Sequence, residues 1–315
     1  MVSACPVYLM KKQFCSRRES GIVLKSVLSQ KRLREDSVKE NTFHFIKNYK
    51  LDGVKCLIAT VNNFSYIKHT HDEYALGVII SGTMKFNCKG TLNIGNKGDV
   101  ISINPQEVHD GFSDENKIVK YIMLYIRPDL INKYFSQLGY RGECYLEMSK
   151  CLVNNNELKS SIIKIYNAII NNHSLSSNYE DLLLKLASSI MSINSKKING
   201  QNKEGIILSL TKSKEFIQNN LDSELMIDDI SSLINMSKYH FIRCFNESFG
   251  ITPHQYVINC RINKAIKNLE SGINCKTSAN NAGFSDASHF NRRFKLVYGL
   301  TPRQYQVQLL KNRII

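Results

Sequence analysis

The sequence predicts an α+β protein with an antiparallel β-barrel or sandwich and a helical segment in its N-terminal part, and an all-α domain in its C-terminal part. Three observations carry this. Between Thr42 and Ile126, short apolar segments recur with a period near two and are broken by glycine-containing turns, as expected of many short antiparallel strands. Between Asp129 and Asn194 the apolar period lengthens to that of a helix. In the last third, Ser237 to Tyr256 returns 49 residues later as Asp286 to Tyr305, with His, Phe, Arg, Phe, Gly, Thr, Pro, Gln and Tyr matched in register.

The first element is a basic extension. Residues 1–40 are rich in Lys, Arg, Ser and Gln without sustained periodicity, and read as poorly ordered, with Met10 an alternative start. The opening MVSACPVYLMKKQ places its basic residues after the apolar stretch, the reverse of a secretory signal, so the expected location is the cytoplasm. The nine cysteines are scattered singly and are expected to be reduced, mostly buried thiols. No apolar run approaches the roughly 20 residues needed to cross a bilayer. A 43% apolar and 22% charged composition is that of an ordinary globular chain.

The strands expected next are Val54–Val61, Leu76–Ile80, Thr83–Cys88, Leu92–Ile94, Val100–Ile103 and Val119–Ile126, within a domain over 41–128. His69-Thr70-His71 is placed at a strand start, where period two puts both imidazoles on one face. His109 follows later, after Asn104-Pro105-Gln106-Glu107-Val108. His69, His71, Glu73 and His109 form the one convergent polar cluster. It lacks the nucleophile, metal set or acid/base pair that turnover needs, so no enzyme activity is expected.

Helices follow over 129–194, with stripes at Leu130, Tyr134 and Leu138, at Leu158, Ile162 and Ile169, and at Leu183, Leu186 and Ile190. Residues 195–205 read as a flexible linker. The domain over 206–315 carries the repeat. Ser237 and Asp286 are suited to N-cap a helix, and Gly250 and Gly299 to end it. Phe241, Phe245 and Phe249, like Phe290, Phe294 and Tyr298, fall on one buried stripe. Tyr239, Arg243 and Asn246, and their counterparts Ser288, Arg292 and Lys295, lie opposite on a polar, basic face without acids. A short apolar helix and a tight turn precede each copy, which makes two helix-turn-helix units, each offering its second helix to a DNA major groove. The helix between them, opened by Thr252-Pro253 and closed by Ser271-Gly272, has some nineteen residues and spans roughly 28 Å. That suits successive major-groove segments on one side of a duplex. Charge agrees. Residues 1–50 carry 11 Lys/Arg against 4 Asp/Glu, residues 51–200 carry 16 against 14, and residues 201–315 carry 15 against 9. A basic end fits a polyanion, because neutralising phosphates releases counterions.

From about Ile206 to Gln308 these residues resemble the DNA-binding domain of the AraC/XylS transcriptional regulators, through the run Gly283-Phe284-Ser285-Asp286-Ala287-Ser288-His289-Phe290-Asn291-Arg292-Arg293-Phe294-Lys295, then Gly299, Thr301-Pro302 and Tyr305. HTHDEYALGVIISG and INPQEVHDG likewise resemble the cupin-like domain that many such regulators carry. The resemblance implies a cupin-like barrel followed by a double helix-turn-helix domain. The DNA-contacting positions it implies are Tyr239, Ile242, Arg243, Ser288 and Arg292. It also implies a homodimer through the helical segment, with promoter DNA and RNA polymerase as partners. Two departures stand out: Ile242 is apolar where a polar reader is common, so it meets a thymine methyl at most, and Ser278 replaces an apolar core residue. Metal-binding cupins place a Glu further along the strand, where this chain has Ala75 and Leu76. The histidines and Glu73 are therefore assigned to a small-molecule effector and none to a metal or cofactor, against the alternatives of a metal site or of satisfied rim histidines. A cupin enzyme or metal sensor with a DNA-binding tail, and non-specific DNA compaction, remain the competing functions.

Overall fold

A computed structural model describes residues 41–48, 51–140, 146–170, 179–193 and 205–311. The basic extension with Met10, and most of the expected linker, lie outside the described residues.

The strands are β1 (Thr42–Lys47), β2 (Val54–Val61), β3 (Ser65–His69), β4 (Tyr74–Ser81), β5 (Thr83–Cys88), β6 (Thr91–Asn96), β7 (Val100–Ile103), β8 (His109–Ser113), β9 (Val119–Ile126) and β10 (Leu152–Val153). They build a six-stranded sheet in the order β1-β2-β9-β4-β7-β10 and a four-stranded sheet in the order β3-β8-β5-β6. The two sheets share one apolar interior, and no ladder joins them among the described residues. The expected barrel therefore takes the form of two opposed antiparallel sheets. Helices α1 (Pro128–Gln137), α2 (Asn156–Ile170) and α3 (Tyr179–Ser192) cover the outer face of the larger sheet.

Two-sided burial explains the sequence of that sheet. On β9, Val119, Tyr121 and Met123 point into the interior between the sheets, while Ile122, Leu124 and Ile126 meet the helices. Strands covered on both faces read as continuous apolar runs, as β2 and β4 do. In β5 only Met84, Phe86 and Cys88 are buried, so it alternates. The expected stripe on α1 is shifted: Ile131, Tyr134 and Phe135 are buried, and Leu138 is an exposed C-cap.

The remaining helices are α4 (Gly205–Asn219), α5 (Ile227–Leu233), α6 (Lys238–Phe249), α7 (Pro253–Glu270), α8 (Cys275–Asn281), α9 (Ala287–Tyr298) and α10 (Pro302–Lys311). Ser237 caps α6 by accepting from the His240 amide, and Asp286 caps α9 by accepting from the Ser288 and His289 amides. Gly250 and Gly299 end these helices in the left-handed region. The repeated Thr-Pro-x-Gln-Tyr is a capping box in both copies, Thr252 with Gln255 and Thr301 with Gln304, and its Tyr is buried beside the phenylalanines. In the turns, Asn235 (φ 55°) and Gly283 (φ 84°) occupy equivalent left-handed positions. A Cβ on Gly283 would lie 1.9 Å from the Leu221 carbonyl oxygen, so only glycine fits there. Ser278 is fully buried, and its hydroxyl donates to the Ile273 carbonyl (3.2 Å), which satisfies the polar group at this core position.

The sheets and the C-terminal helices share one core. Phe45 of β1 stacks edge-on against Tyr305 (4.8 Å between ring centroids) and meets Tyr298 (6.0 Å), and the Phe43 ring covers Gly299. The amide side chain of Gln308 donates to the Phe43 carbonyl (3.0 Å) and accepts from the Phe45 amide (2.9 Å).

One expectation is corrected outright. Cys88 and Cys151, 63 residues apart, form a disulfide with Cα atoms 6.4 Å apart. The pairing is made by the fold, which brings the end of β5 to the segment entering β10; nothing in the spacing announces it. Cys56, Cys244, Cys260 and Cys275 are free thiols.

Candidate DNA-reading face and effector cavity

The two reading helices present their predicted faces. On α6, Tyr239, Arg243 and Asn246 are exposed, Tyr239 by 85%, and Ile242 is half-buried beside them. On α9, Ser288, Arg292 and Lys295 are exposed. The opposite faces are sealed by Phe241 and Phe245, and by Phe290, Phe294, Val297 and Tyr298. Arg243, Arg292 and Lys295 make no ion pair among the described residues, which leaves these cations available to phosphates or base edges. His289 supports the second helix: its Nε2 accepts from Arg293 Nε (3.3 Å) and its ring packs edge-on to Phe284. The α7 helix that separates the heads has 18 residues, an axial length of about 27 Å.

Between the sheets, three histidines meet. His69 ends β3 and pairs across the ladder with His109 of β8. The His-Thr-His run thus lies at the end of a strand and not at its start, with His71 two residues beyond it. Ring centroids are 4.2 Å apart for His69 and His109, 4.8 Å for His71 and His109, and 6.2 Å for His69 and His71. Each Nδ1 is bonded to a main-chain carbonyl: His69 to Ile67 (2.7 Å), His71 to Glu73 (2.7 Å) and His109 to Glu107 (2.9 Å). Burial, and then the neighbouring His71, push the His69 imidazole down to about 4. Burial also lowers His71, and burial with the two neighbouring rings lowers His109 well below the ordinary range. The cluster is therefore neutral near pH 7. Among the described residues, no group of three or more His, Cys, Asp or Glu is placed to hold a metal ion.

These histidines line a cavity of about 50 Å³ together with Tyr66, Tyr121, Tyr125, Met84, Asp110 and Val297. Val297 belongs to α9, so the second reading helix supplies part of the cavity wall. Neither it nor the tyrosines is marked by the histidine pattern. Tyr121 and Tyr125 share with Met123 the inward face of β9, a signal legible only once that strand's two faces are told apart.

Glu73 touches His71 through its main-chain carbonyl but does not line the cavity. Its carboxylate pairs with Lys55 of β2 (2.8 Å), and Lys55 also pairs with Glu270, the last residue of α7 (2.8 Å), which accepts from the Tyr305 hydroxyl (2.8 Å). Burial pushes the Glu73 carboxyl up, but Lys55 and then His71 outweigh it and hold it at about 2. Burial opposes the Lys55 charge too, yet Glu73, Tyr305 and Glu270 raise it well above the ordinary range. A second cross-link runs the other way, from Lys267 of α7 to Asp72 (2.6 Å). A lone Lys in the buried run Val54–Val61 was the available signal, because a cation there needs a partner. These ion pairs line a cleft of about 560 Å³ between the sheets and α7.

A two-headed helix-turn-helix domain fused to a pair of sheets enclosing a cavity defines a DNA-binding regulator with a ligand-binding domain. Comparison with known proteins gives the family. Residues 53–187 match the model described as the AraC-like ligand binding domain, and residues 230–308 match that of a helix-turn-helix domain. The chain belongs to the AraC/XylS family of transcriptional regulators. It is 29% identical over 228 residues, 70% of this chain and 80% of the relative, to the uncharacterized HTH-type transcriptional regulator YbfI of Bacillus subtilis. Its fold is similar to that of ToxT from Vibrio cholerae (TM-score 0.55, 16% identity, 82% of this chain and 99% of ToxT) and to the unsaturated-fatty-acid-bound ToxT (TM-score 0.52, 18% identity, 87% and 98%). No helix among the described residues is long and apolar enough to cross a membrane.

Proposed function

We propose that a small molecule entering the histidine-lined cavity controls how the two reading helices meet promoter DNA. In this reading Tyr239, Ile242, Arg243 and Asn246 of α6, and Ser288, Arg292 and Lys295 of α9, face the duplex. His69, His71 and His109 face the effector, and Glu73 acts in the ionic link to α7. The observation that carries the reading is the position of Val297: one face of α9 is free for DNA while Val297, on its other face, lines the cavity. A ligand that presses on Val297 binds one placement of α9 better than another. A difference of about 1–3 kcal/mol is a five- to hundredfold change in DNA affinity.

A homodimer through the helices over 129–194, RNA polymerase as the partner on DNA, action in the cytoplasm, and the absence of catalysis belong to the same proposal. A fatty acid, the ligand of one ToxT structure, is disfavoured, because no Lys or Arg lines the cavity among the described residues.

The test is to select duplexes from a random pool with the full chain, then measure affinity for the selected site and for scrambled DNA. Preference for the selected site that Arg243→Ala and Arg292→Ala each relax supports the reading. Equal affinity for all duplexes would sink it in favour of compaction.

A further inference from the structure

The hydrogen bonds of the three histidines fix more than their orientation. A carbonyl oxygen only accepts, so each neutral ring carries its proton on Nδ1, bonded to Ile67, Glu73 or Glu107, and keeps Nε2 as a lone-pair acceptor. His71 is 2% exposed, and its Nε2 is buried without a hydrogen-bond partner among the described residues. An unmade bond at such an atom is costly, and it points to a donor from outside.

The rest of the polar lining, Asp110 and the hydroxyls of Tyr66, Tyr121 and Tyr125, brings no positive charge. Asp110 is a carboxylate that accepts from the Asn87 amide (2.7 Å) and side chain (2.9 Å and 3.1 Å). Tyr66 and Tyr121 are hydrogen-bonded to each other. Among the described residues no Lys or Arg lines the cavity, and Lys55, a buried cation of the sheet, is held by Glu73 and Glu270. An anion there would face the imidazole lone pairs and the Asp110 carboxylate, with tyrosine hydroxyls as its donors and no positive partner among the described residues. A water-sized site takes about 10–15 Å³, so about 50 Å³ admits a group of roughly four heavy atoms.

Resting on the effector reading above, we infer that this cavity takes a ligand group that offers O–H or N–H donors and bears no negative charge, received by the Nε2 atoms of His69, His71 and His109. A hydroxyl-rich group and a small ammonium share this chemistry.

The experiment uses the full chain labelled with ¹⁵N at histidine, and two-bond ¹H–¹⁵N correlation of the imidazole rings near neutral pH. Three probes of equal size are titrated: ethane-1,2-diol, ethanolamine and acetate. The free protein is expected to show the Nδ1-protonated pattern for all three cavity histidines. Ethane-1,2-diol or ethanolamine should then move their Nε2 resonances, and acetate should not. Which of the two acts separates the hydroxyl from the ammonium source. His71→Phe keeps a ring but removes one acceptor, and should weaken that response at His69 and His109 about tenfold, the loss of one good hydrogen bond to a ligand. A proton on Nε2 of any of the three rings overturns the inference without any ligand, and does so even if His71→Phe fails to fold. Movement with acetate alone overturns the donor class while leaving an effector cavity in place. Rings indifferent to all three probes remove the cavity as a binding site, and the effector reading with it.

Discussion

Replacing Lys55 by Met should separate what the structure joins. Its Nζ is 2.8 Å from both Glu73 and Glu270, with side-chain exposures of 8%, 18% and 21%. At an effective dielectric constant of about 20, each pair is worth roughly 6 kcal/mol of gross attraction, against a desolvation cost of several kcal/mol per ion. Removal of the cation leaves two carboxylates facing each other without the charge that holds both, while the Tyr305 hydroxyl still donates to Glu270. Breaking such a buried pair costs about 3–5 kcal/mol. Partial exposure of both acids places this case at the lower end, about 3 kcal/mol. The chain has no tryptophan, so urea unfolding is followed by circular dichroism in the far and near ultraviolet. Lys55→Met should lower the midpoint and split one transition into two, because Lys55 sits in β2 and Glu270 at the end of α7. Adding Glu73→Gln and Glu270→Gln should restore most of the loss, since neutral amides need no cation. A single variant within about 1 kcal/mol of the parent, or a triple variant no better than the single one, would refute the buried link.

Three further outcomes are expected. Arg243→Ala and Arg292→Ala should each cost about 1–3 kcal/mol on the selected duplex and narrow the gap to scrambled DNA; equal losses on every sequence in an anisotropy titration would make them phosphate contacts instead. Gly283→Ala should destabilise the second helix-turn-helix unit more than Gly272→Ala, because its Cβ meets the Leu221 carbonyl at 1.9 Å whereas nothing lies within 4 Å of Gly272, although both have positive φ; equal denaturation midpoints would contradict this. Stability should fall as pH drops. His69, with its folded value near 4 against an ordinary 6.5, stays neutral in the fold while the unfolded chain takes up protons. Its contribution is thus complete above about pH 6.5 and lost towards pH 4, up to about 3 kcal/mol. Glu73, held at about 2, adds a loss in the same direction below about pH 4.5. His69→Asn should reduce the slope of the first window in denaturant titrations across pH, with His71 and His109 supplying the rest, and an unchanged slope would count against the buried neutral cluster.

The parts legible in the sequence are those whose causes are local. N-caps, left-handed glycines, the Thr–Gln capping boxes and the phenylalanine stripes all act within a few residues. The repeated heads and the faces of Arg243 and Arg292 could therefore be read off directly. The strands Val54–Val61, Thr83–Cys88, Val100–Ile103 and Val119–Ile126 emerged with their observed bounds for the same reason. What escaped depends on distance along the chain. Lys55 and Glu270 are 215 residues apart, and Cys88 and Cys151 are 63 apart; such pairs leave no period. The sequence groups Glu73 with the histidines because it is near them. Its carboxylate instead bonds Lys55 and acts on His71 through charge alone, and the hydrogen bond of that ring is made to its main-chain carbonyl. Val297 lies outside the stripe of Phe290, Phe294 and Tyr298 that the period marks, and its place in the cavity wall follows from how that helix docks on β3.

Gln308 has a consequence of its own. By giving one hydrogen bond to Phe43 and taking another from Phe45, its side-chain amide mimics a single residue of a neighbouring strand along the free edge of the larger sheet. An uncovered edge of this kind is a template for pairing with another chain. The C-terminal helix thus acts as a stopper for the sheet, and any excursion that lifts it away uncovers a sticky rim. Movement between the halves of this regulator is bounded by solubility as well as by signalling.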